Sequence, residues 1–335
     1  MSRLSLLLLL AVIFITRTVA QNNPEAFAYT EKANHMGTVF QITAIGKNET
    51  LAKQAVAKAY QEVERIERLI SSWDEHSETS LINRNAGLTP VTVSEELFNL
   101  IERSKKVSKL SNGIFDISFA SIDKIWRFDG SMKTIPSEEE IANSVSKINY
   151  ENILLNPTDH SVFLKEQGMK IGFGGIGKGY TANRCKVLMQ EMGIESGVVN
   201  AGGDLITWGK QANGEEWTIG IADPSKKESA LSYLKISDLS VVTSGNYERF
   251  IELDGKKYSH IIDPTTGWPA ESLTSVTIIC PDAEIGDALA TTVFILGVDK
   301  GLQLINRLNG IECFIIDDEG NLHHSANILL NYYEE

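Results

Sequence analysis

The sequence is poor in cysteine and proline, with 3 cysteines and 8 prolines among 335 residues. Cys185, Cys280 and Cys313 lie far apart and form no CxxC pair, so neither a disulfide framework nor a thiolate zinc site is predicted. A single bridge is the alternative to the favoured interpretation, in which all three are small buried hydrophobic residues. The chain has no biased tract, which excludes a collagen-like or low-complexity protein. With 31 Lys and Arg against 44 Asp and Glu, and no basic block, it is not predicted to bind nucleic acid.

The first twenty residues have the composition of a secretory signal. Arg3 precedes an apolar run over residues 4–15, and the small residue Ala20 stands at the predicted cleavage position. A membrane anchor is the alternative, but Arg17 interrupts the run before it reaches the roughly 20 apolar residues that a span requires. We therefore predict a signal peptide over residues 1–20 and export to the periplasm or the outer face of the inner membrane. No later stretch is expected to be long and apolar enough to span a bilayer.

Residues 21–335 are predicted to form one catalytic domain of the α+β class, because most helices precede a series of consecutive strands. Apolar residues recur every three or four positions from Leu51 to Ile70 and predict a long helix, while Asp254-Gly255 predicts a hairpin turn. Ser137 and Glu140 form a capping box that opens another helix. The other predicted helices cover 94–110, 179–192, 285–296 and 300–308, and the predicted strands are 38–46, 153–155, 162–164, 169–173, 197–201, 204–208, 217–222, 231–236, 239–243, 248–253, 257–262, 274–280 and 312–317.

A glycine-rich segment, Gly172-Phe-Gly-Gly-Ile-Gly-Lys-Gly179, lies between a predicted strand and a predicted helix. Such a segment either lets the backbone approach a phosphate at a helix N-terminus or lets two elements pack closely, and both interpretations stay open. The dinucleotide fingerprint GxGxxG is formally present, but the next strand ends at Asn200 rather than at an acidic residue. The P-loop pattern is not met, because Gly179 follows Lys178 where Ser or Thr is required.

Two pairs of polar residues in the second half of the chain are candidates for chemistry. His260 and Asp263 precede a proline-containing loop, where they suit acid–base chemistry or a simple hydrogen bond to that loop. Asp287 and Thr291 are four residues apart on a predicted helix, so their side chains share one face. Such a pair suits Mg²⁺ as hard oxygen ligands, although an acidic residue is also common in a first helical turn. The chain has no GxSxG sequence, which argues against a serine hydrolase.

Three further signals are weak when taken singly. Asn200-Ala-Gly-Gly-Asp204 predicts a tight turn between apolar strands, with Asp204 available to orient a ligand. Trp73 and Phe115 are suited to stacking on a flavin ring or to burial in the core.

Taken in their order along the chain, short segments of this sequence resemble the ApbE family of FAD:protein FMN transferases. The matching segments are Met36-Gly-Thr38, Ser71-Ser-Trp73 with Ser80-x-x-Asn83, Gly113-Ile-Phe-Asp116, Gly174-Gly-Ile-Gly-Lys-Gly179, Asn200-Ala-Gly-Gly-Asp204, Ser244-Gly-x-Tyr-Glu-Arg249, His260-Ile-Ile-Asp-Pro-x-Thr-Gly267 and Asp287-Ala-x-Ala-Thr291. The resemblance implies a T-fold-like core of mostly antiparallel sheet with packed helices. It also implies an active-site cleft between two lobes, in which FAD binds as the substrate.

The family resemblance also implies roles for individual residues. Asp287, Thr291 and the backbone carbonyl of Gly175 are the expected ligands of a Mg²⁺ ion on the pyrophosphate. His260, or a neighbouring carboxylate such as Asp263, is expected to take a proton, and Lys178 to stabilise charge on the phosphoryl oxygens. The residues expected to contact the flavin nucleotide are Met36, Trp73, Ile114, Phe115, Asp116, Gly172, Gly174, Lys178, Gly203, Asp204, His260 and Ile261.

The implied reaction is attack of a Thr or Ser hydroxyl of an acceptor protein on the FMN-side phosphorus of FAD, with release of AMP. The family's acceptor motif, Asp-x-x-(Ser/Thr)-Gly-Ala-(Ser/Thr), does not occur in this chain. The acceptor is therefore expected to be another flavoprotein, such as an exported or membrane-bound redox subunit. The alternatives are a Mg²⁺-dependent FAD pyrophosphatase giving FMN and AMP, a flavin-binding or storage protein without turnover, and a nicotinamide-dependent dehydrogenase.

Overall fold

The computed structural model describes residues 26–122, 125–222, 230–247 and 249–328, and the predicted signal peptide over residues 1–20 lies outside them. The α-helices are α1 (Glu49–Ile70), α2 (Glu78–Arg84), α3 (Glu95–Leu110), α4 (Glu138–Val145), α5 (Gly177–Glu191) and α6 (Ala283–Ile305). The strands are β1 (Phe27–His35), β2 (Thr38–Gly46), β3 (Val91–Thr92), β4 (Ile153–Asn156), β5 (Ser161–Leu164), β6 (Ser196–Ala201), β7 (Asp204–Trp208), β8 (Trp217–Ala222), β9 (Ala230–Ile236), β10 (Ser240–Gly245), β11 (Phe250–Leu253), β12 (Lys256–Ser259), β13 (Leu273–Cys280), β14 (Glu312–Asp317) and β15 (Leu322–His324).

The central element is an eight-stranded sheet with the order β1-β2-β6-β7-β10-β13-β14-β15, in which every neighbouring pair is antiparallel. Smaller sheets are formed by β3-β5-β4, β8-β9 and β11-β12. Met36 and Gly37 connect β1 to β2 in a two-residue turn with φ values of 50° and 72°, as the right-handed twist of a hairpin favours. The prediction of a mostly antiparallel α+β fold is confirmed.

Helices cover one face of the large sheet, and the β8-β9 ribbon covers the other. The core on the helical side includes Val56 of α1, Met189 of α5 and Phe294 of α6, all fully buried. On the opposite face, Trp217 of β8 and Leu234 of β9 pack against apolar side chains of the large sheet. Because both faces are covered, the central strands β6, β7, β10 and β13 are buried almost throughout rather than alternately exposed.

A second core lies beside the first and gives the molecule its second lobe. Ile66 and Ile70, at the end of α1, pack with side chains of α3 and of the β3-β5-β4 sheet. Met36 and Ile285 pack against both cores. The glycine-rich segment adds Phe173 and Ile176 to the second core. The helices α1, α5 and α6 therefore contribute to both lobes and fix one lobe against the other.

The helix boundaries follow from local capping. Asn48, Ser94 and Asp282 each accept a hydrogen bond from a backbone N–H in the first turn of α1, α3 and α6. The capping box predicted at Ser137 and Glu140 is confirmed. The two helices predicted at 285–296 and 300–308 form one element, α6, that is interrupted by the non-helical backbone of Gly297 (φ 76°, ψ −177°).

The strand predicted over 169–173 is wrong. This segment is irregular, although Met169, Ile171 and Phe173 alternate and are buried as the pattern suggested. Its backbone is satisfied by side chains instead of a neighbouring strand: Asn83 exchanges two hydrogen bonds with the backbone of Ile171. The hydroxyl of Ser121 accepts a hydrogen bond from the backbone N–H of Lys170. The sequence analysis also missed β1, α2, β3 and β15.

Helix α6 corrects the expectation that no later stretch is long and apolar enough to span a membrane. Its 23 residues pass that test by length and composition, with a window of mean hydropathy 1.4. Val293 and Phe294 of this helix are fully buried in the first core, and Gly297 interrupts it. In this fold α6 is a core helix of the domain.

The three cysteines are free and buried in the structure, as their favoured interpretation predicted. Burial raises the pKa of the Cys185 and Cys280 thiols, which disfavours the reactive thiolate.

Candidate active site

Six of the predicted site residues, from three parts of the chain, meet at a small cavity of about 50 Å³. The cavity lies where α5 begins, between β10, the segment after β12 and the first turns of α6. It is lined by Gly174, Lys178, Thr243, Ser244, His260, Ile261, Asp287 and Thr291. All of these except Thr243 and Ser244 are residues that the sequence analysis singled out as site residues.

A larger and more open groove of about 460 Å³ lies elsewhere on the surface, between α4 and residues 265–268. Its lining includes Ile141, Val145 and Trp268. Among the described residues, this groove contains none of those predicted for the site, so the chemistry is assigned to the smaller cavity.

Lys178 lies between two buried carboxylates. Its ammonium group forms a salt bridge with Asp204, which is fully buried, and lies 3.8 Å from Oδ1 of Asp287. Buried carboxylates of this kind are stabilised by the cations and hydrogen bonds around them.

The arrangement of Asp287, Thr291 and Gly175 fits a magnesium ion. Asp287 and Thr291 lie one turn apart on α6 and both line the cavity. A Cβ built on Gly175 would lie 3.1 Å from Oγ1 of Thr291, which places the backbone of the glycine segment directly beside that hydroxyl. Carboxylate, hydroxyl and carbonyl oxygens are hard donors of the kind that Mg²⁺ prefers. Within the described ranges no group of three or more His, Cys, Asp or Glu side chains forms a metal cluster, and this site would use only one such side chain.

The glycine segment serves close packing as well as access to the cavity. A Cβ on Gly179 would lie 2.0 Å from the carbonyl oxygen of Ala283, so only glycine lets α5 and α6 meet there. Its N–H donates to Oδ2 of Asp287 at 3.0 Å. Gly174, by contrast, lines the cavity, and a Cβ there would meet only Phe119 at 3.4 Å. The packing interpretation therefore holds at Gly179, while Gly174 borders open space.

His260 faces the cavity with a neutral imidazole. Burial lowers the pKa of His260 to about 4, and the charges of Arg249 and Lys178 act in the same direction. Nδ1 of the ring lies 3.1 Å from the backbone oxygen of Arg249, and the ring of Phe128 meets it edge-on. A half-buried, unprotonated histidine beside a phosphate-sized cavity is suited to accept a proton at neutral pH.

Two of the predicted acidic site residues accept hydrogen bonds that the cavity residues do not donate. Oδ1 of Asp263 accepts from the N–H and the hydroxyl of Thr265 and shapes the turn after the cavity. Asp116 accepts from Ser118 and from the N–H of Tyr150, and burial raises the pKa of its carboxyl. Neither of them lines the cavity among the residues that the structure describes.

The remaining predicted residues are not among those that line the cavity. Met36 packs between the two cores, while Phe115 lies under Gly175, with its ring 3.5 Å from the position of a Cβ there. Trp73 is 78% exposed after the end of α1. Ile114 is half-buried, Gly172 packs against Ala120, and Gly203 (φ 105°) borders open space in the turn before Asp204.

Thr243 and Ser244 were missed because they belong to a strand whose pattern is that of an ordinary buried segment. Thr243 shares a hydrogen bond of 2.9 Å with the hydroxyl of Thr277 on β13. The available signal was Ser244, which opens one of the segments on which the family resemblance depends.

Comparison with known proteins places the chain in a family. The model described as the ApbE family matches residues 36–315. A protein of Klebsiella pneumoniae (strain 342) named FAD:protein FMN transferase is 34% identical over 290 residues, covering 86% of this chain and 89% of the relative. A protein of the same name from Escherichia coli (strain K12) is 28% identical over 324 residues, covering 94% and 92%.

Solved structures support the same assignment. The crystal structure of the ApbE protein of Thermotoga maritima superimposes with a TM-score of 0.86 at 29% identity, covering 92% of this chain and 100% of that one. The flavin transferase ApbE of Vibrio cholerae gives a TM-score of 0.81 at 24% identity, covering 90% and 98%, and this second likeness shows the fold alone. Because the family model spans most of the sequence, this chain belongs to the ApbE family.

Proposed function

We propose that this protein transfers the FMN moiety of FAD to a Thr or Ser hydroxyl of an acceptor flavoprotein, in a magnesium-dependent reaction that releases AMP. The coarse assignment, an enzyme of flavin transfer, is supported by relatives that are 28–34% identical over most of the chain and are named FAD:protein FMN transferase. The magnesium ion, the hydroxyl acceptor and the release of AMP are the finer parts of the proposal.

The observation that carries the proposal is the meeting of one proton acceptor, one ammonium and one hard-oxygen donor set around a single cavity. His260, Lys178 and the pair of Asp287 and Thr291 all line it. A nucleophilic hydroxyl, a negatively charged phosphoryl group and a divalent cation are the reactants that such a set matches. A storage protein would need no hard-oxygen site at the pyrophosphate.

The proposed reaction forms one phosphorus–oxygen bond and breaks another. The hydroxyl oxygen of the acceptor attacks the FMN-side phosphorus, the bond from that phosphorus to the bridging oxygen breaks, and AMP leaves with that oxygen. His260 takes the proton of the hydroxyl. Lys178 stabilises the negative charge that develops on the phosphoryl oxygens. Asp287, Thr291 and the carbonyl of Gly175 would hold a magnesium ion, which would supply further neutralisation of that charge.

The partner is proposed to be a second protein, because this chain lacks the acceptor motif. An acceptor that carries Asp-x-x-(Ser/Thr)-Gly-Ala-(Ser/Thr) in a redox complex fits the proposal.

Export to the periplasm or the outer face of the inner membrane is supported by the composition of residues 1–20. A fusion of residues 1–30 to a reporter enzyme, compared with a fusion that lacks them, tests export directly.

The test of the activity is to incubate the purified protein with FAD, Mg²⁺ and an acceptor fragment that carries the motif. A gain in the intact mass of the fragment equal to FMN minus water, lost on adding a chelator, is the expected result. An acceptor fragment with Ala in place of its motif hydroxyl is the matched control. Free FMN and AMP without labelled fragment would show the pyrophosphatase instead, and bound FAD without either product would show a flavin carrier.

A further inference from the structure

The imidazole of His260 is oriented by the backbone carbonyl of Arg249. Nδ1 of His260 lies 3.1 Å from that oxygen, and the backbone N–H of His260 donates to the same oxygen at 3.1 Å. A carbonyl oxygen only accepts hydrogen bonds, so Nδ1 carries the hydrogen in this contact. The neutral ring then has its lone pair on Nε2, the atom that is able to take a proton.

The side chain of Arg249 is anchored on a different part of the fold. Its Nη2 donates to the carbonyl oxygen of Gly37 at 2.8 Å, in the turn between β1 and β2. A Cβ on Gly37 would lie 2.8 Å from Nη2, so any larger residue would displace the guanidinium, and the φ of 72° also favours glycine. The turn is held from α1 as well, because the N–H of Met36 donates to Oε1 of Glu67 at 2.8 Å.

Arg249 and His260 meet at the open end of the β11-β12 hairpin. The paired register of this hairpin starts at Phe250 and Ser259, directly inside the two residues. Ile251 and Tyr258 hold the strands in a core with Trp126, but Arg249 and His260 lie beyond the paired register, where a two-stranded ribbon is least stable. An anchor outside the hairpin is therefore needed to hold the Arg249 carbonyl against the imidazole.

We propose that Arg249 is a positioning residue for His260: its guanidinium, fixed on Gly37, holds the Arg249 carbonyl where it keeps the ring hydrogen on Nδ1. The tautomer follows from the contacts alone. Its effect on the reaction rests on the proposed function, because the rate depends on the tautomer only if His260 takes the hydroxyl proton.

The test uses the full mature chain labelled with ¹⁵N-histidine, with the His260→Gln variant to assign the ring signals. In the unsubstituted protein we expect a neutral ring with the hydrogen on Nδ1. Arg249→Ala should give a mixture of both tautomers and lower kcat for flavin transfer by up to about a hundredfold, with little change in KM for FAD. Arg249→Lys keeps a donor for the Gly37 oxygen and should restore most of the Nδ1–H tautomer and most of kcat. Lys257 is an exposed cation on the same hairpin, so Lys257→Ala is the control and should change neither the tautomer nor kcat.

Each other result has a defined meaning. An unchanged tautomer in Arg249→Ala would overturn the proposal, whatever the rate. A raised KM for FAD with kcat unchanged would also overturn it, because Arg249 would then act as a nucleotide-binding residue. A changed tautomer with an unchanged rate would support the positioning role and remove His260 from the proton transfer, which separates the failure of the proposed function from that of the inference.

Discussion

Oδ2 of Asp287 accepts a hydrogen bond of 3.0 Å from the N–H of Gly179, a residue 108 positions earlier in the chain. This bond joins the start of α5 to the start of α6, and it orients a carboxylate whose other oxygen faces Lys178 at 3.8 Å. The glycine segment and the acidic helix are therefore one structural unit, and each fixes the other at the cavity.

The first prediction concerns Asp287 as a cation ligand. Asp287→Asn keeps an oxygen for the N–H of Gly179 but loses the charge, so the fold should persist while flavin transfer falls by at least about a hundredfold. Asp299→Asn, at an exposed position on the same helix, is the matched control and should keep full activity. The intact mass of the acceptor fragment reports the transfer. A fully active Asp287→Asn protein would remove Asp287 from the proposed cation site.

The second prediction concerns the buried ion pair of Lys178 and Asp204. Lys178→Met removes the cation that forms a salt bridge with the fully buried Asp204 carboxylate, and the free energy of unfolding should fall by about 3 kcal/mol. Adding Asp204→Asn removes the buried charge and should recover most of that loss. Urea unfolding curves with equal slopes measure both differences. Equal losses in the single and double variants would mean that the lysine stabilises the fold through packing rather than charge.

The third prediction is a pH dependence set by His260. Since its pKa is lowered to about 4, the ring is neutral across the neutral range, and transfer through it should fall only as the pH approaches 4. The folded-state pKa lies below the usual value of 6.5, so the unfolded chain binds this proton more readily. The stability contribution of the neutral ring is therefore complete above about pH 6.5 and is lost as the pH falls toward 4.

The profile of kcat/KM against pH checks this prediction. His76→Gln, a change at a histidine whose side chain is 83% exposed, should leave the profile unchanged. An acid limb with its midpoint near pH 6.5 would show that His260 is as accessible to water as a free histidine when the enzyme turns over.

The fourth prediction separates packing glycines from cavity glycines. Gly179→Ala would place a Cβ 2.0 Å from the carbonyl oxygen of Ala283, so α5 and α6 must move apart and the free energy of unfolding should fall by about 3 kcal/mol. Gly174→Ala meets only the edge of Phe119 at 3.4 Å and should leave thermal unfolding nearly unchanged. The melting temperatures of the two variants show whether Gly179→Ala destabilises the fold more than Gly174→Ala does. Similar values would mean that the helix starts adjust freely and that the close contact is not required.

The order of elements was predictable where the signal is local. The long periodicity of α1, the capping box at Ser137 and the turn at Asp254-Gly255 depend on neighbouring residues, and all three are confirmed. The 169–173 segment shows the limit of such patterns. Its alternation reports burial correctly, but whether a buried extended segment pairs with a strand or with side chains such as Asn83 depends on residues far away in the chain.

The candidate site, like the fold, was predictable from the sequence only in part. The sequence by itself determined which residues are chemically able to act, because the types and order of Lys178, His260, Asp287 and Thr291 carry the family resemblance. Only the tertiary structure decided which of them meet. It brought these four to one cavity and added Thr243 and Ser244, while Asp263 and Asp116 accept hydrogen bonds from other residues. The physical reason is that chemical type is a property of one residue, whereas burial, charge pairing and the direction of a hydrogen bond depend on atoms that the fold assembles from distant parts of the chain.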